Sequence, residues 1–205
     1  MIETDFYLSQ SARWPTEGRH ILAHYDEKSV VVYQAYRPSI GLFAIKHGRL
    51  GGPDFSFSRM SWIKPNFLWM MYRSGWGTKE GQEITLGLRI RREFFDEILR
   101  KAVPSTFDPQ LYDRQESWKN AVASSEVRLQ WDPDHLPWGT PLARKAIQLG
   151  LRGESLKRLA EQELLEVIDF AEIVEEGRPH ATPSGVAKLR TPTEHIYQPA
   201  PNSSV

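Results

Sequence analysis

The clearest hydrophobic run is residues 29–36, SVVVYQAY, where β-branched and aromatic side chains follow one another without a polar alternation. That pattern predicts a strand buried on both faces. Pro38 ends it, and residues 40–47 (IGLFAIKH) place Ile40, Phe43, Ala44 and His47 on one face of a short helix stopped by Gly48. GRLGGPDFS then reads as a loop. In WIKPNFLWMMYRSGW, residues 67–72 are apolar all round, which predicts a short buried helix with Pro65 as its first position and Gly75 as its terminator. Residues 83–90 (EITLGLRI) predict a second strand and residues 94–101 an amphipathic helix. Residues 126–131 (EVRLQW) predict a third strand closed by Asp132-Pro133. Residues 142–151 fit either strand or helix, residues 102–125 give no single reading, and residues 153–165 read as a helix ending near Val167.

Strands and short helices mix without regular βαβ alternation, so the expected fold class is α+β with a mixed or mostly antiparallel sheet. The expected organisation is an irregular arm over residues 1–17, one globular domain over 18–176, and an extended Pro/Ser/Thr-rich tail over 177–205. Composition narrows the chemistry. Twenty-six Lys and Arg balance twenty-six Asp and Glu, so no overall field draws in a polyanion, and nucleic-acid binding would need a local basic patch. With no cysteine, disulfides, thiolate metal sites and cysteine nucleophiles are excluded, and a reducing, cytoplasmic setting is expected. The first ten residues lack the apolar core of a signal peptide, and no run approaches the length of a membrane span. Seven Trp are a surplus that suits a contact surface.

The common motifs are missing. There is no GxxxxGK[ST], no GxGxxG and no GxSxG. His20 and His24 stand four apart, but HILAH lacks the intervening Glu of HExxH, and no metal is expected. Asp26-Glu27 and Asp132-Pro133-Asp134 read as solvated turns. What remains is a polar set in apolar surroundings. Gln34 sits inside the most apolar strand and is either a satisfied core amide or a group aimed into a cleft. Gln148 lies in RKAIQLGLRG. Arg59, Lys64, Arg73, Arg144 and Arg152 lie nearest to aromatic or glycine contexts, a set suited to a ligand with phosphates and stackable rings.

Four stretches, HYDEKSVVVYQAYRPSIGLFAIKHGRL, FSRMSWIKPNFLWMMYRSGWGTKEGQE, VRLQWDP and RKAIQLGLRG, resemble the family known as domain of unknown function 4291, over roughly residues 14–178. A second resemblance is to ADP-ribosyltransferase-like domains. VVVYQAYRPSIGLFAIKHGRL is similar to their opening strand, helix and glycine turn, and RKAIQLGLRG to their last motif. That resemblance implies an NAD-using transferase with Gln34 and Gln148 in the two motif positions, where those enzymes usually carry His or Arg and Glu. It also implies nicotinamide or adenine stacking on Tyr36 and on the segment from Trp62 to Tyr72. An amide at 148 can hydrogen-bond a ribose but cannot act as a base, which leaves a phosphate or nucleic-acid acceptor open.

Three readings follow. The first is an ADP-ribosyltransferase-like enzyme with Gln34 and Gln148 as catalytic positions and Tyr36, Arg59, Trp62, Lys64, Tyr72, Arg73, Trp76 and Arg144 holding NAD. The second is an RNA- or DNA-binding or RNA-processing protein that stacks bases and grips phosphates. The third is a non-catalytic interaction domain whose Trp-rich segment is core. Within that segment, the ligand is expected at the two ends of the 67–74 helix, with an anion at the free N–H groups that start it.

Overall fold

The computed structural model describes residues 2–200. In chain order its elements are β1 (Thr4–Phe6), α1 (Tyr7–Ser11), β2 (Leu22–Tyr25), β3 (Ser29–Tyr36), α2 (Pro38–His47), β4 (Ser61–Ile63), α3 (Phe67–Ser74), β5 (Ile84–Arg91) and α4 (Arg92–Lys101). They continue with β6 (Val103–Pro104), α5 (Gln115–Ser124), β7 (Val127–His135), β8 (Pro141–Leu151), α6 (Gly153–Arg158), a π-helical turn (Leu159–Glu163), β9 (Leu164–Asp169), α7 (Ala171–Gly177), β10 (Arg190–Pro192) and β11 (His195–Ile196). The fold is α+β. A five-stranded antiparallel sheet has the order β11-β2-β3-β5-β9, and a four-stranded mixed sheet has the order β4-β8-β7-β6. No described helix is long and apolar enough to cross a membrane.

β3 is central to the larger sheet, and its unbroken apolar run follows from burial on both faces. Val30 and Val32 face a core shared with Leu88 and Ile90 of β5, Phe94, Phe95 and Ile98 of α4, and Ile147, Leu149 and Leu151 of β8. Val31 and Tyr33 face a second core with Phe67, Met70 and Met71 of α3, Trp76, Phe170 and Val174. Each such side chain, removed from water, contributes roughly 1.5–3 kcal/mol. In β5 the residue under Phe170 is Gly87, where a Cβ would lie 2.3 Å from the ring, so glycine is what lets the two surfaces close.

Several expected boundaries move for identifiable reasons. Pro65 precedes α3, whose N-cap is Asn66: its side-chain oxygen accepts from Trp69 N–H at 2.6 Å. Gly75 does end the helix, in the left-handed conformation (φ 59°). β7 runs through Asp132-Pro133 because Pro133 sits beside a register shift against β8, where a missing N–H is tolerated. The helix expected over residues 153–165 is one short helix and a π-helical turn, and residues 164–169 form the edge strand β9.

The described parts of the expected irregular arm and extended tail, residues 2–17 and 177–200, are knitted to each other; residues 1 and 201–205 of those expectations lie outside the described residues. β1 pairs antiparallel with β10, and β11 adds to the edge of the larger sheet. Gln10, fully buried, donates to Thr191 and accepts from Glu194 N–H at 2.9 Å, while the Trp14 indole donates to the Glu194 carbonyl at 3.0 Å. The Glu194 carboxyl accepts from Phe67 N–H at 2.7 Å and from the Asn66 amide at 3.3 Å. The start of α3, where a ligand anion was expected, is therefore filled from within. Asn66→Ala should cost about 1–2 kcal/mol in a chemical-denaturation series, since it strips the cap from a buried helix end.

Candidate functional site

The site lies where the two sheets meet. Tyr33 N–H donates to the Lys64 carbonyl at 2.7 Å and Lys64 N–H to the Tyr33 carbonyl at 3.1 Å, an isolated antiparallel bridge between β3 and the residue just after β4. β4 belongs to the other sheet, with Trp62 opposite Gly150 of β8. One residue beyond the bridge, Gln34 turns its amide onto β4, donating to Ser61 Oγ at 2.7 Å and to the Trp62 carbonyl at 3.2 Å. The Tyr36 hydroxyl donates to Gln34 Oε1 at 2.6 Å and lies 3.2 Å from Ser61 Oγ. Burial pushes the Tyr36 hydroxyl well above its ordinary range, so it stays a donor. Both readings of Gln34 hold at once: its amide is satisfied, and it lines a cavity.

That cavity, about 450 Å³, is lined by Gln34, Tyr36, Ser61 and Trp62, by Phe55, and by Arg37, Arg59, Lys64 and Arg73, with Asp54 as its acid. Among the described residues none of these four cations makes an ion pair or a side-chain hydrogen bond. A second cavity of about 360 Å³ shares Trp62, Lys64 and Arg73 with the first and adds Trp69, Gln130, Asp132 and Gln148. Gln34 and Gln148 therefore stand on opposite sides of one junction. Gln130 and Asp132 alternate onto one face of β7, and Gln148 lies opposite Gln130 on β8. The Gln130 amide donates to Asp132 Oδ1 at 2.9 Å and the Gln148 amide to Oδ2 at 2.8 Å.

Lys64 dominates the electrostatics. It is 5 % exposed, and desolvation lowers its pKa to about 8, reinforced by the Arg73 charge and opposed by Asp132. Its backbone is held by the sheet bridge, which places the side chain at the wall shared by the two cavities.

Four residues expected near a ligand lie elsewhere. Arg144 forks onto Asp134 Oδ2 at 2.8 and 2.6 Å, donates to the Pro15 carbonyl at 2.6 Å and covers the Trp14 ring, so its donors are spent in the core. Trp76 is buried, donates to the Pro137 carbonyl at 2.9 Å, and holds a left-handed backbone (φ 55°) that packing enforces. Tyr72 stacks on His135 at 3.5 Å on the outer surface and lines neither cavity. Arg152 binds the carbonyls of Ala123 and Ser125. Sequence reasoning missed Arg37, Phe55, Ser61, Gln130 and Asp132. The alternation in LQWD places Gln130 and Asp132 together on one strand face and was the available signal.

A family model described as Domain of unknown function (DUF4291) matches residues 20–197. The chain belongs to the DUF4291 family. The DUF4291 match takes in every residue of both cavities and, at its far end, the Glu194 latch on α3. No curated protein matches the chain.

Lys64 gives a signed test. Below pH 8 both folded and unfolded chains carry its proton, and the full cost of the buried charge is present. Between about pH 8 and 10.4 the folded state sheds the proton first, so stability rises with pH; above that range both are neutral. Lys64→Met should therefore be about 1–3 kcal/mol more stable than wild type at pH 7, with the gap closing toward pH 10 in denaturation series run at matched pH.

Proposed function

We propose that the DUF4291 site binds a phosphorylated nucleotide, and that this nucleotide is NAD, used as the donor in an ADP-ribosyltransferase-like group transfer. The observation that carries the reading is Lys64: a buried lysine whose ammonium has no partner among the described residues, at the junction of two cavities in the size range of ligand sites. A desolvated cation of this kind is stabilised by an anion, and Arg59 and Arg73 stand ready beside it with forked donors. Trp62, Tyr36 and Phe55 supply flat apolar walls for a base, and the cluster of Gln34, Ser61 and Tyr36 supplies polar contacts in a fixed arrangement.

NAD would bring a glycosidic bond to nicotinamide that is already activated for displacement. The protein's share is to hold and orient. Arg37, Arg59, Lys64 and Arg73 bind the phosphates. The bridge at Tyr33 and Lys64 fixes the donors before the ligand arrives, which lowers the ordering cost of binding. The zero net charge of the chain weighs against long nucleic acid, while four cations around one cavity suit a small polyphosphate.

NAD at a hundredfold excess over its Kd should stabilise the protein by about 2.7 kcal/mol, seen as a rise in melting temperature of about 5–10 °C. Arg73→Ala, whose side chain is exposed and unpaired, should fold normally and bind NAD about tenfold or more weakly by calorimetry. Gln148→Ala should also weaken it. A protein that ignores NAD but binds a single-stranded oligonucleotide with steep salt dependence would replace this reading with the nucleic-acid one.

A further inference from the structure

We propose that the two cavities are one continuous site for a diphosphate-linked ligand in two halves, with its phosphates at Lys64 and Arg73 and a sugar hydroxyl of the second half hydrogen-bonded to Asp132. The inference rests on the nucleotide reading and adds where each part of the ligand lies.

The division follows from charge. Lys64 and Arg73 line both cavities, so an anion bound by them sits at the junction rather than deep in either. Beyond them the first cavity is rich in cations, whereas the second holds the Asp132 carboxylate. That carboxylate disfavours a phosphate lodged wholly in the second cavity, and Lys64 and Arg73 disfavour a cationic group there. A neutral donor, such as a sugar hydroxyl, meets neither objection.

Asp132 is also built to accept one. A carboxylate offers about four acceptor directions. Gln130 takes one on Oδ1 and Gln148 one on Oδ2, and both amides project from the paired strands β7 and β8. The clamp holds the group in one orientation, and the remaining lone pairs stay available to a donor in the cavity. Gln148 then acts as a positioning residue for Asp132 and has no need to touch the ligand itself.

The test compares ADP-ribose, which has both halves, with AMP, which has one, by calorimetry on the full chain. In wild type, ADP-ribose should bind about tenfold or more tightly than AMP, through its second phosphate at Lys64 and Arg73 and its sugar hydroxyl at Asp132. Asp132→Asn, in which one glutamine can turn its amide to meet the new NH2, should erase the hydroxyl's share of that advantage and not weaken AMP, since the carboxylate lost beside Lys64 repels a phosphate rather than holding it. Lys64→Met should weaken both ligands. Equal affinities of AMP and ADP-ribose in wild type would overturn the two-cavity arrangement while leaving nucleotide binding intact. So would an Asp132→Asn effect of the same size on both ligands. Failure of both ligands to bind would overturn the nucleotide reading and this inference together. The wild-type comparison stands without any variant, so a poorly folded mutant does not rescue the idea.

Discussion

Two main-chain hydrogen bonds between Tyr33 and Lys64 hold the two sheets in register at the point where the cavities open. They come from the most deeply buried strand and are shielded from competing water, because Tyr33 and Lys64 are both buried. Everything around the junction inherits its placement from that pair. Gln34 is next along β3, so its amide falls on β4. Trp62 and Ser61 precede Lys64, so they form the opposite wall. A slip of one residue in either strand would turn Gln34 and the Lys64 ammonium away from the cavities and their neighbours into them.

Two buried cations show how differently this fold treats charge. Arg144 is matched by Asp134, by a carbonyl and by the Trp14 face, so its desolvation is offset within the protein. Lys64 has no such set, and the folded chain carries the resulting cost. Residues that weaken the resting structure in this way concentrate where a protein meets a ligand. A chain with no net charge can thus hold a strongly cationic cavity, because balance over the whole sequence says nothing about a local patch.

The parts of the fold legible in the sequence were those fixed by short-range physics. The run at Ser29–Tyr36 gave its strand to the residue, and Gly75 marked the end of α3 because only a left-handed position closes that turn. Chemistry set by long-range pairing was harder to read. Asp132 looked like half of a solvated Asp-Pro-Asp turn, and it becomes a clamped carboxylate only when β8 brings Gln148, sixteen residues away, alongside it. Arg144 stood in a promising context, but its partner Asp134 lies across the same strand pair. The start of β9 falls at the end of the helix expected over 153–165, because its polar residues reflect an exposed sheet edge, where Glu166 meets Arg89, rather than a helical period. Of the residues expected to hold a ligand, Trp62 and Arg73 line both cavities while Trp76 and Tyr72 line neither, a division that only the three-dimensional packing reveals.

The carboxyl of Glu194 closes the first turn of α3, 127 residues earlier in the chain. During synthesis, then, the helix carrying Trp69 and Arg73 emerges long before the group that completes its start. An N-terminal fragment ending after Gln148 but before Glu194 has the whole lining of both cavities in its sequence, yet leaves a buried N–H at Phe67 without its acceptor. Glu194 lies between β10 and β11, so one of the last described segments to be made completes the start of a helix made long before it.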